Sequence, residues 1–98
     1  MSTLLDTVLS ALRQRREAIE REHGVRIIGV VGSVARGEAG PESDVDVLID
    51  MSSRTSLYDL SDVREELSEA LHRDVDLVDR ETLRPEMRAY MEKDLVAA

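Results

Sequence analysis

Three short runs dominated by Val, Ile and Leu recur along the chain: VRIIGVVG at 25–32, VDVLID at 45–50 and DVDLVD at 74–79. Each is short, bounded by polar or turn residues and rich in β-branched side chains, so each reads as a strand. Around them the apolar spacing changes. Leu4, Leu5, Val8, Leu9, Leu12 and Ile19 fall on one helical face, with Arg13, Arg15, Glu17 and Glu20 turned outward. Ser2 or Thr3 can cap that helix, with Asp6 in its first turn, and Gly24 suits its left-handed end. Leu60, Val63, Leu67, Ala70 and Leu71 form a second helical face, opened by a Ser56/Asp59 capping box. Thr82 to Val96 predicts a further helix, with Pro85 near its first turn and Met87, Met91 and Leu95 facing in. The stretch SVARGEAGPES between the first two strands can start a short helix and must end in a turn. Strands alternating with helices predict an α/β sheet with helices packed against it.

The length, 98 residues, predicts one domain over 1–98 with a thin core. Tyr58 and Tyr90 are the only aromatics, so the core must be aliphatic. The net charge of −8 argues against direct nucleic-acid binding, which needs cations to neutralise phosphates. There is no cysteine for disulfides or a thiolate zinc site, and His23 and His72 lack metal-ligand spacing. No apolar stretch is long enough to span a bilayer, and MSTLLDTVLSALRQRRE lacks the charged start of a signal peptide. A cytoplasmic protein, with no membrane partner, is the expectation.

Asp44 and Asp46 flank Val45 at the mouth of the second predicted strand. Strand alternation puts both on one sheet face, with Val45, Val47 and Ile49 on the other. Two such carboxylates repel, and an arginine or a divalent metal must offset them. Asp74 and Asp76 share a face on the third strand, and Asp76 lies inside its apolar run. Three converging carboxylates can hold two Mg²⁺ ions, the arrangement that clamps both oxygens in phosphoryl transfer. Upstream, Gly32 lets a backbone turn tightly and a ligand approach. Ser33 then opens a helix whose N–H groups suit phosphate, and Arg36 can reach the same anion. Taken singly, Asp74 and Asp76 read as solvated edge charges and Gly32-Ser33 as an ordinary strand-to-helix turn. Together they make a phosphate cradle beside an acid pair, which nucleoside triphosphate chemistry requires.

Gly32-Ser33, ten intervening residues and then Asp44-Val45-Asp46 resembles the signature of the DNA polymerase beta-like nucleotidyltransferase superfamily. The fuller string GSVARGEAGPESDVDVLID looks like its minimal nucleotidyltransferases, the MNT group, often the antitoxin beside a HEPN-type partner. The resemblance implies a two-layer α/β nucleotidyltransferase fold, a small mixed β-sheet with helices packed on one side. It implies that Asp44 and Asp46 bind both Mg²⁺ ions. Asp76 would complete the site and help deprotonate the acceptor, with Asp74 as the alternative third carboxylate. Gly32 and Ser33 would contact the phosphates, supported by Arg36. The implied reaction moves AMP from ATP to a tyrosine of a HEPN-type toxin.

Two other readings compete. One is a partner-masking antitoxin with little catalysis; the thin core and apolar helices suit oligomer formation, and the acidic surface suits a basic partner. The other is nucleotidylation of a small molecule, for which relatives carry an added acceptor-binding domain. Elsewhere the plainer readings are expected. His23 and His72 close helices, Met87 and Met91 are core, Tyr90 is helical surface, Arg13 to Arg16 is a solvated face, and Glu38 and Glu42 are turn residues.

Overall fold

The computed structural model describes residues 2–98. In chain order it contains α1 (Leu4–His23), β1 (Val25–Val31), α2 (Gly32–Arg36), β2 (Val45–Met51), α3 (Leu57–Leu71), β3 (Val75–Asp79), a 3₁₀ turn at Arg80–Thr82, α4 (Pro85–Asp94) and β4 (Val96–Ala97). Local chemistry accounts for the main boundaries. Thr3 caps α1 reciprocally with Asp6, the Asp6 N–H donating to Thr3 Oγ1 at 3.0 Å and the Thr3 N–H to Asp6 Oδ2 at 3.2 Å. Gly24 ends the helix at φ +70°. A Cβ there would also press on Thr55 Oγ1 at 2.9 Å, so glycine is required twice over. Ser56 and Asp59 form the matching box on α3.

The sheet runs β3-β2-β1-β4. β1 pairs antiparallel with both β2 and β4, and β2 pairs parallel with β3. A parallel neighbour needs a crossover, which α3 supplies. One sheet face is covered by α1 and α3. Val8, Leu12, Ile19, Val30, Val45, Val47, Ile49, Val63 and Leu67 are at most 1% exposed there and form the aliphatic core. This is the mixed α/β sheet expected, with its main core on the helix-covered side.

The C-terminal third departs from expectation. The predicted helix over 82–96 begins only at Pro85 and stops at Asp94, and the chain then adds β4 to the edge of β1. Tertiary pairing overrides helix propensity there. Val96 pairs with Val30, and the Ala98 N–H donates to the Ile28 carbonyl at 3.0 Å. Arg13 and Arg16 are exposed, as expected, and also donate to the Ala97 and Ala98 carbonyls at 3.2 and 2.8 Å. Met87 is 44% exposed rather than core, and no α4 side chain is fully buried. Leu95 does face in, but on the other side of the sheet. A Cβ at Gly29, the partner of Leu48, would meet Leu95 Cδ1 at 2.9 Å. The C-terminal segment therefore covers fully buried Leu48 on the face away from α1 and α3.

Candidate active site

Asp46 sits at the centre of the site by register. It pairs with Val31 at the end of β1 and with Asp76 on β3. Val45, Val47 and Ile49 point into the core at 0–1% exposure, so alternation sends Asp46 to the opposite face. Asp76, its registered neighbour, projects on that same face. Gly32 follows directly on Val31 with φ +76° and leads into α2. A Cβ on Gly32 would run into Asp46 Oδ2. The glycine predicted to admit a ligand is thus held against the central carboxylate, in a conformation that L side chains resist.

Asp44 lies one residue before β2 rather than within it, and it is exposed. Its loop is held from α3's C-terminal end, where Arg73 Nη1 donates to the Gly40 and Ser43 carbonyls at 3.0 Å each. Asp44 and Asp74 line two adjoining hollows of about 670 and 520 Å³, and Asp76 lines the second. Partial burial raises the pKa of Asp46 above the ordinary carboxylate value, and the charges of Asp76 and then Asp44 add to the rise. Arg36 opposes it. Of the two β3 acids it is Asp76 that the register sets beside Asp46.

Ser33 is half-buried as the second residue of α2, with Val31 as the N-cap, so it does not cap the helix itself. Its carbonyl accepts the Glu38 N–H at 2.9 Å. Arg36 is engaged with other groups. Its Nε donates to Glu38 Oε2 at 3.0 Å and its Nη1 to Asp94 Oδ2 at 3.1 Å, and these two acids raise its pKa, Glu38 foremost. Glu38, expected to be a plain turn residue, is therefore a partner of a candidate phosphate ligand. Glu42 lines the hollow beside Asp44.

Asp44, Asp46 and Asp76 offer only carboxylate oxygens, the donor type hard divalent cations take. The raised pKa of Asp46 is relieved by any cation placed among the three. Among the described residues no three acidic or imidazole side chains converge on one point. The donor set fits Mg²⁺ in kind.

Two side chains escaped the sequence reading. Asp94 meets Arg36 across 58 positions of chain, a pairing no local pattern signals. Arg64 lines the two hollows that border Asp76.

Comparison with known proteins identifies the family and the fold. The model of the nucleotidyltransferase domain family matches residues 12–97. Protein adenylyltransferase MntA of Thermococcus cleftensis is 39% identical over 80 residues, covering 82% of this chain and 81% of that protein. A Methanocaldococcus jannaschii relative, named as a candidate protein adenylyltransferase, is 31% identical over 93 residues, or 94% and 95% of the two chains. A solved structure described as a candidate minimal nucleotidyltransferase superposes with TM-score 0.74 at 34% identity, covering 92% of this chain and 95% of that one. A toxin-antitoxin crystal structure with AMP-PNP shares the fold at TM-score 0.58 and 22% identity, over 76% and 61%. Matched from the middle of its first helix to its last strand, the chain belongs to the nucleotidyltransferase domain family.

Proposed function

We propose that this chain transfers AMP from ATP to the tyrosine hydroxyl of a HEPN-type toxin and so acts as its antitoxin. The observation that carries the reading is Asp46 set between Asp76 and the backbone of Gly32. Relatives named protein adenylyltransferase supply the reaction class, and a toxin-antitoxin structure of the same fold supplies the setting. Asp44, Asp46 and Asp76 would hold Mg²⁺, which when bound offsets the negative charge of the triphosphate and of the departing pyrophosphate. Gly32, having no side chain, lets the Asp46 carboxylate lie against the backbone at the start of α2. Ser33 offers its hydroxyl, and Arg36 exchanges Glu38 or Asp94 for a phosphate oxygen. Asp76 accepts the proton of the acceptor hydroxyl. The tyrosine oxygen bonds to the α-phosphorus as the bond from that phosphorus to the bridging oxygen breaks, and pyrophosphate leaves with the electron pair.

Calorimetric titration of ATP, with and without Mg²⁺, into wild type and Asp46→Asn tests the site. Labelled-AMP transfer to the toxin tests the reaction. The expected result is Mg²⁺-dependent binding, weakened about tenfold or more by the substitution, and label on a toxin tyrosine only with wild type. An Asp46→Asn chain that still neutralises the toxin would hand the function to partner masking.

A further inference from the structure

β3 is an edge strand: among the described residues it pairs with β2 alone. At the opposite edge, Arg13 and Arg16 already occupy the Ala97 and Ala98 carbonyls. The Val45 N–H donates to the Asp74 carbonyl at 2.9 Å. By alternation, the amides of Asp76 and Val78 face β2, and those of Val75, Leu77 and Asp79 face outward. Ser68 Oγ takes the Val75 N–H at 3.2 Å. Among the described residues nothing takes the N–H or C=O of Leu77. Two hollows of about 520 and 340 Å³ follow one another between this edge and α3. Arg64 and Asp76 line both, Glu65, Glu69 and Asp74 line the first, and Leu77 lines the second.

We propose that this edge docks an extended, basic segment of the acceptor protein by strand addition, placing the acceptor side chain on the face that carries Asp76 and Asp46. A residue opposite Asp76 on an added strand projects to the same face as Asp76. Strands lie about 4.8 Å apart, so the added backbone stands one spacing from Asp76 and two from Asp46. A tyrosine there leans across Asp76 toward the centre of the site. Charge selects the occupant. Asp44, Asp74 and Asp76, with Glu65 and Glu69 on the α3 wall, face a single lining cation, Arg64. A second copy of this chain would set like charges edge to edge, whereas a basic segment neutralises them. The inference rests on the proposed adenylyl transfer only in naming the docked residue as acceptor.

Amide NMR of the isotope-labelled chain tests the docking without catalysis. Three tyrosine peptides serve as probes: a basic extended one, the same peptide N-methylated along one backbone edge, and an acidic counterpart. The basic peptide is expected to shift Leu77 and its neighbours and to bind about tenfold tighter than the acidic one. N-methylation should abolish binding. Glu65→Lys with Glu69→Lys, both exposed and outside the carboxylate centre, should weaken binding about tenfold at unchanged thermal stability. Shifts elsewhere, equal binding of the N-methylated peptide, or no binding by any peptide would overturn the docking edge. ATP calorimetry on the same samples separates the two readings. ATP binding without peptide binding removes the edge and leaves the transfer; peptide binding without ATP binding keeps the edge and removes the transfer.

Discussion

Asp46 is held where its charge is disfavoured. Burial and the neighbouring Asp76 and Asp44 raise its pKa, so the folded chain prefers the protonated form more than the unfolded chain does. The sign follows. The unfavourable contribution is absent at low pH, begins near the ordinary carboxylate pKa and is complete above the raised one. Asp46→Asn keeps the shape and removes the charge. It is expected to raise the Tm of the ligand-free protein by a few degrees at neutral pH while abolishing AMP transfer, as thermal melts beside activity assays will check. A Tm that falls would mean the repulsion is already relieved. Gly32 gives the reverse pattern. Gly32→Ala must adopt φ +76° with a Cβ against the Asp46 carboxylate. A loss of about 1–2 kcal/mol from backbone strain is expected in denaturant melts, together with weaker ATP binding.

At the scale of elements, α3 is tied down at both ends. His23 Nδ1 lies 2.9 Å from Asp59 Oδ1, so the last turn of α1 meets the capping box of α3. The Ser56 backbone N–H foremost, then His23 and the Ser56 hydroxyl, hold the Asp59 carboxyl down to about 2. A depressed acid stabilises the fold above its unfolded pKa of 3.8 and loses that contribution as pH falls through about 2. Asp59→Asn is therefore expected to lower the Tm at neutral pH, with the gap to wild type closing between pH 3.8 and about 2. A gap that persists unchanged into strong acid would assign the effect to the helix cap's geometry alone. This junction was half legible beforehand. The Ser56/Asp59 spacing announced the cap, but His23 read only as a residue closing α1, because its partner lies 36 positions away.

The whole molecule is small, with a Cα radius of gyration of 12.7 Å, as expected for a compact chain of this length. Its core has no aromatic to spread the burial, so each large aliphatic carries a large share. Leu67 is fully buried between α3 and the sheet. Leu67→Ala is expected to cost about 2–5 kcal/mol, read as a Tm drop of roughly 4–8 °C per kcal/mol in a chain this size. A shift within a degree would mean the core repacks around the void. Much of this architecture stands in the order of residues itself. Helix starts at Thr3 and Ser56, the left-handed end at Gly24, three apolar runs and the opposed faces of Val45 and Asp46 all follow from interactions within a few positions of chain. What tertiary structure decided is non-local: β4 peeling off a predicted helix to pair with β1, Arg36 turned to Asp94, Asp46 registered on Asp76 and pressed to Gly32, and the outer edge of β3 left open. Each of these depends on which strand lies beside which. Pairing is set by the burial of whole faces against one another, a sum over distant residues that no short window of sequence contains.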